Sequence, residues 1–205
     1  MDITNFLNSI LLLLVLLNPF LLIVYLIDIV KSKSMYVFTR ILIRAGLMSF
    51  VAFSAFAILG DSIFSNVFNA QMASFQIFGG VIFLLTGIQF VFKGNASIES
   101  LRGESKYVAG AIAMPIFIGP GTISYSVIIG EQLDKPMALL AIACAILLCI
   151  SIIMLLKVVH DRIQTKKEEL IEQYIDIAGR VIAMLLGTVS IELIMSGLDF
   201  WLDIL

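Results

Sequence analysis

Charge is what this chain has least of. Only 14% of its 205 residues are Asp, Glu, Lys or Arg, against about 25% in soluble domains. The formal net charge is −2, which offers no basic footprint for a nucleic acid. The one histidine, His160, lies near the end of an apolar run and is assigned no role. No Ser-His-Asp set, metal-ligand spacing, phosphate loop or dinucleotide fingerprint is present. An enzyme is therefore not expected, nor a metal or a cofactor. The two cysteines, Cys144 and Cys149, share one apolar run; they read as small buried residues and not as a disulfide or a metal pair. The N-terminus carries no basic stretch, and no small-residue cleavage site follows the first apolar run, so that run is expected to be a retained helix and not a signal peptide.

Apolar residues fill the space. They make up 60% of the chain, with a mean hydropathy of +1.08, which points to an integral membrane protein with almost no soluble part. Six apolar runs stand out, at residues 4–30, 39–60, 75–92, 107–129, 137–159 and 175–202. Each is about 18–28 residues long, enough to cross a hydrocarbon core of about 30 Å with some tilt. A polar connection at 93–106 (KGNASIESLRGESK) separates two halves, 1–92 and 107–205, of one transmembrane domain. The charged run TKKEELIEQ at 165–173 reads as a solvated helix extension; Lys166 and Glu169 are spaced to pair, while Glu168 and Glu172 repel.

Lys and Arg set the orientation. With six spans, Lys31, Lys33, Arg40, Arg44, Lys93, Arg102, Lys106, Lys157, Arg162, Lys166, Lys167 and Arg180 fall on one side and Lys135 alone on the other, twelve of the thirteen against one. The charged loops are thus expected in the cytoplasm and both termini outside. Tyr36, Tyr107 and Tyr174 then mark the inner interface and Trp201 the outer one, as aromatic belts do.

The halves resemble each other. FGGVIFLLTGIQFV at 78–91 lies over AGRVIAMLLGTVSI at 178–191 with an offset of one hundred residues, and Gly79/Gly179, Val81/Val181, Ile82/Ile182, Leu85/Leu185 and Gly87/Gly187 are identical. Pro19 and Pro120 match at nearly the same offset. Three spans is an odd number, so the two halves must insert in opposite directions, as inverted repeats do.

The rarest feature is a pair of breaks inside apolar runs. Proline removes a backbone donor and clashes with the preceding turn. In lipid, a freed backbone group must be satisfied by neighbours or line a cavity. Asn18-Pro19 lies near the middle of the first run, and Ile118 to Ser124 (Ile-Gly-Pro-Gly-Thr-Ile-Ser) interrupts the fourth, with Pro115 as a further weak point. Thr122 is expected to cap a new half-helix whose free N–H groups and positive dipole end suit a carboxylate or phosphate. The plainer alternatives are a packed proline kink at Asn18-Pro19 and a close helix-packing notch at Gly119-Pro120-Gly121. Paired breaks favour a substrate site made of Asn18, Pro19, Gly119, Pro120, Gly121, Thr122 and Ser124.

Glu192 is the ionisable residue deepest in the last run. A carboxyl at that depth is a candidate for binding H⁺ or Na⁺; the alternative is a neutral glutamate hydrogen-bonded to another helix. Arg44 is expected to snorkel to the cytoplasmic interface, and Asp28 to sit at a helix end. Gln89, Ser49, Ser54 and Ser126 are possible polar contacts, although single serines in membrane helices usually bond their own backbone.

The string AMPIFIGPGTIS at 113–124, with Asn18-Pro19 and Phe78-Gly79-Gly80, resembles the MarC family of bacterial and archaeal membrane proteins over essentially the whole chain. The resemblance implies an inner-membrane protein with termini outside, among small transporters related to the LysE type. It also implies a link to small neutral amino acids such as glycine and alanine. The chain departs from the family pattern in two places. Phe20, Leu21 and Leu22 follow Asn18-Pro19 where a glycine and a second proline are usual, and Glu192 stands where the family carries a glutamine.

These features lead to an all-α polytopic membrane protein, a six-helix inverted 3+3 repeat with spans 1 and 4 broken at mid-membrane. The expected function is secondary transport or export of a small polar solute, with the breaks as the site and Glu192 for the coupling ion. The alternatives are a flippase for an anionic lipid carrier, with Arg44 as phosphate partner, and a non-transporting scaffold. The expected partners are the lipid bilayer and a small-molecule substrate. A homo-oligomer stays open.

Overall fold

A backbone in lipid must satisfy its polar groups within its own segment. The computed structural model, which describes residues 3–26, 30, 33–60, 71–93, 117–162 and 168–202, is accordingly helical, with no strand among the described residues. The helices are α1 (Ile3–Leu17), α2 (Pro19–Tyr25), α3 (Met35–Leu59), α4 (Met72–Lys93), α5 (Pro120–Gln132), α6 (Lys135–Arg162) and α7 (Glu168–Leu202). Four of them, α3, α4, α6 and α7, contain stretches long and apolar enough to cross a membrane. The first apolar run is covered by α1 and α2 with Asn18 between them. Of the fourth run, α5 is its described part; residues 107–116, with Pro115 and Tyr107, lie outside the described residues, as do Asp28 and the 94–106 connection.

Small residues decide where helices approach. The most extensive contact joins α4 and α7, which run antiparallel: Ala73 and Ile77 meet Gly197, Gly80 meets Ser190 and Ile194, Gly87 meets Ala183 and Gly187, and Phe90 meets Gly179. A methyl group on Gly87 would lie 3.1 Å from the Ala183 carbonyl oxygen and 3.5 Å from the Gly187 nitrogen. Such small-residue seams let membrane helices gain dispersion contact where no hydrophobic force separates lipid from Leu. Gly46 on α3 packs against Ile146 and Ile150 on α6, and Gly130 on α5 sits against the backbone carbonyl of Ala57 on α3. α1 lies against α6 and α5, while α2 lies against α6 and α7. The core between them holds Leu13, Leu17, Leu22, Phe38, Phe53, Phe90 and Phe117, all nearly inaccessible.

Two basic side chains from the second half reach carbonyls of the first. Lys157 Nζ on α6 donates to the Val30 carbonyl oxygen at 2.7 Å, and Arg180 on α7 donates to that of Val91, in the last turn of α4, at 3.1 Å. A cation near a helix C-terminus satisfies an orphan carbonyl and complements the dipole. Sequence reasoning places Lys157 among the interfacial charges. In the structure it is buried, because it has the carboxylate of Asp161 one turn away at 3.0 Å and the Phe38 ring at 5.4 Å to hold its charge. Arg44, Tyr36, Tyr174 and Trp201 are exposed, and Cys149 is buried in α6.

Candidate substrate site at the helix interruptions

Asn18 stops α1. Its N–H still bonds the carbonyls of Leu14 and Val15 at 3.1 Å each, but its φ is +44°, the left-handed region that Asn tolerates better than most residues. That reversal turns the chain, and Pro19, with no N–H to satisfy, begins α2 at a position where proline is favoured. The Asn18 carbonyl then accepts from the N–H of Leu22 at 3.0 Å. Both Asn18 and Pro19 are buried.

The Gly119-Pro120 turn is built differently. Gly119 is the N-cap of α5, extended at φ −104° and ψ 164°, and Pro120 takes the first helical position. The Gly119 carbonyl starts the helix by accepting from the N–H of Ile123 at 3.0 Å. Thr122, in the first turn, reaches back: its Oγ1 accepts from the Gly119 N–H at 2.9 Å and lies 3.0 Å from the Phe117 carbonyl and 2.9 Å from that of Gly119, to one of which it donates. Sequence reasoning expected Thr122 itself to be the cap; the cap is instead Gly119, three residues earlier, because proline suits the first helical position. Thr122 works from inside the helix, in the reciprocal position of a capping box.

The site residues do not all come together. Gly119 and Thr122 share the hydrogen bonds just given. Gly121 is held tight against the Phe83 ring of α4; a methyl group there would overlap Phe83. The Gly-Pro-Gly turn is therefore packed by an aromatic ring. Ser124 is fully buried, and its Oγ has no hydrogen-bond partner among the described residues; Ser54 on α3 is in the same position. Ser49 and Ser126 bond their own helix, to Ala45 at 2.9 Å and Thr122 at 2.6 Å. α1 and α5 pack on each other, and the Tyr125 phenol of α5 faces Ser9 of α1. Glu192 is elsewhere: it is exposed on α7, two positions past the buried Ser190 and two before Ile194, the pair that face Gly80 of α4. Two positions are about 200° on a helix, so its side chain starts from the opposite face. Gln89 is likewise exposed.

Sequence reasoning missed Phe83 and Phe117, whose apolar character carries no label, and the burial of Lys157. Only the spacing of Lys157 and Asp161, one turn apart, marks the latter. No group of three or more His, Cys, Asp or Glu capable of holding a metal occurs among the described residues.

The family model described as MarC family integral membrane protein matches residues 3–202. A UPF0056 membrane protein of Aquifex aeolicus (strain VF5) is 27% identical over 150 residues, covering 70% of each chain. A UPF0056 membrane protein of Archaeoglobus fulgidus is 24% identical over 162 residues, 76% of this chain and 74% of that one. No solved structure gives a significant match. The chain belongs to the MarC family of integral membrane proteins.

Proposed function

We propose that this MarC family member is a secondary transporter of a small polar solute, most simply a small neutral amino acid, and not an enzyme. The observation that carries the reading is the pair of interruptions: a left-handed Asn18 before Pro19, and a Gly119-Pro120-Gly121 turn latched by Thr122, on helices that pack together. Irregular backbone inside apolar spans is the recurrent location of transporter substrate sites. The first turn of α5 offers N–H groups and a positive dipole end to a carboxylate, and the Ser124 hydroxyl supplies a group with no other partner among the described residues.

An inverted 3+3 repeat, with spans 1 and 4 discontinuous at mid-membrane, belongs to this proposal. It is supported by pairs that sit against their own counterparts. Gly87 packs on Gly187, and Gly46 packs on Ile146, each one hundred residues away. Self-pairing of this kind is what a two-fold axis between halves requires. The helix contacts also exchange correctly: α3 with α5 answers α6 with α2, and α4 with α5 answers α7 with α2. The twelve-to-one charge division supports cytoplasmic loops and outside termini in a cell inner membrane.

Glu192 is proposed for the coupling ion on its chemistry alone, since a carboxyl deep in a span is functional by default. Its exposure on α7 separates it from the packed turn at Gly119, so in this proposal it binds its ion away from the solute.

The test is exchange of radiolabelled glycine and alanine in proteoliposomes holding the pure protein. Saturable exchange is expected, lost in Gly121→Leu, whose side chain displaces Phe83, and weakened in Ser124→Ala. The second variant guards against misfolding, because the hydroxyl it removes has no hydrogen bond to lose among the described residues. No exchange of either amino acid by the folded wild type removes the substrate class.

A further inference from the structure

The first ten residues of α3 carry a feature with no place in the transport reading. Met35, Tyr36, Thr39, Arg40, Ile43 and Arg44 line an open groove of about 620 Å³. Arg40 and Arg44 are one turn apart and both exposed. Arg40 does not wave freely: its guanidinium lies 4.9 Å from the centre of the Tyr36 ring and donates to the Tyr36 hydroxyl. A planar guanidinium stacks on an aromatic face more readily than an ammonium does, and such pinning reduces the freedom lost when a ligand binds. The planar guanidinium matches a phosphate with two parallel hydrogen bonds. Thr39 adds a hydroxyl, and the groove opens at the helix start, where the dipole end is positive.

Depth narrows the ligand. α3 is a candidate membrane span starting at Met35, so Arg40 lies about 7 Å and Arg44 about 13 Å along the axis from that start. A headgroup layer is roughly 5–8 Å thick on each side of the hydrocarbon. The two guanidiniums thus occupy the zone where lipid phosphates lie, Arg44 by extending back toward the surface. The same face carries an apolar track that starts beside Arg44 and runs on past it: Ile43, Leu47 and Val51 recur at one-turn spacing and are 56%, 62% and 61% exposed. A polar anion clamp that runs directly into an exposed apolar track has the shape of an amphiphile, with one end for phosphate and one for an acyl chain.

We infer that the start of α3 is a binding site for an anionic phospholipid, whose phosphate pairs with Arg40 and Arg44 and whose acyl chain runs down Ile43, Leu47 and Val51. The site is independent of the transport proposal, for it uses none of the residues at the two interruptions. A free phosphate would use only the clamp; a lipid uses the clamp and the track together.

The experiment is native mass spectrometry of the full-length protein released from detergent micelles containing equal phosphatidylglycerol and phosphatidylcholine. The wild type should retain phosphatidylglycerol about tenfold over phosphatidylcholine. Arg40→Gln with Arg44→Gln should bring the ratio close to one, while Arg162→Gln, which removes an exposed charge at the end of α6, should leave it unchanged. Arg40→Lys with Arg44→Lys keeps the charge without the planar fork and should fall between, which covers the case in which the Gln pair does not fold. Inorganic phosphate and soluble glycerol phosphate should not displace the lipid. The inference is overturned by a wild type with no preference, by an unchanged ratio in the folded Gln pair, or by an equal loss in Arg162→Gln. Displacement by inorganic phosphate would equally overturn it, showing a site for free anions.

Discussion

Lys157 Nζ donates to the carbonyl oxygen of Val30 across 2.7 Å, joining residues 127 apart in sequence. The contact fastens the far end of the first apolar run to α6. Lys157 is only 1% exposed, so its charge depends on the Val30 carbonyl, on Asp161 and on the Phe38 ring.

Lys157→Met keeps the stem and removes the charge. It leaves the Val30 carbonyl without this bond, while the half-exposed Asp161 stays hydrated. The loss should be about 1.5–3 kcal/mol, the range for a hydrogen bond to a charged group. It would be read as a lower thermal midpoint in detergent. An unchanged midpoint would mean that the carbonyl finds water and the contact adds no stability.

Asn18→Gly and Asn18→Ala separate backbone from side chain. The left-handed φ of +44° suits glycine but costs an alanine roughly 1–2 kcal/mol. The Gly variant should therefore fold with a midpoint close to the wild type, and the Ala variant should not. If amino acid exchange is lost in the well-folded Gly variant, the amide itself serves the solute; if it persists, Asn18 serves only the turn.

Gly130→Ala and Gly187→Ala should differ sharply although both lie in helices. A methyl group at Gly130 would strike the backbone carbonyl of Ala57, which cannot step aside without moving α3 from α5. A methyl group added at Gly187 would meet no atom of another helix within 4 Å among the described residues. The first variant should be strongly destabilised or fail to accumulate. The second should be neutral or gain up to about 1 kcal/mol from helix propensity. Comparable midpoints for the two would contradict the α3–α5 packing.

Glu192→Gln should abolish gradient-driven uptake yet spare exchange, because the amide keeps the shape and removes the titratable proton. The readout is accumulation against a pH or Na⁺ gradient in the same proteoliposomes used for exchange. Intact driven uptake would remove Glu192 from coupling.

Much of the helical architecture was legible because the bilayer leaves few choices. Spans at 39–60, 75–92, 137–159 and 175–202 correspond to α3, α4, α6 and α7, with ends displaced by up to a few residues. α7 extends further, from Glu168, over the part of the charged run read as helical. The turn at Asn18 and the helix start at Pro120 were legible too, since proline and glycine act on the backbone whatever surrounds them. Their fillings were not. Nothing in the string around Gly121 names Phe83, which arrives from another helix.

Composition and periodicity alone determined that this chain is helical and membrane-embedded, with a backbone turn at Asn18 and a helix start at Pro120, because these follow from local backbone chemistry in an apolar solvent. Tertiary structure alone decided that Phe83 closes on Gly121, that Lys157 is buried under Val30 while Glu192 faces outward, and that Gly87 meets Gly187. Those facts depend on which helix faces which, and that is settled by close packing of small residues between helices that are all about equally apolar.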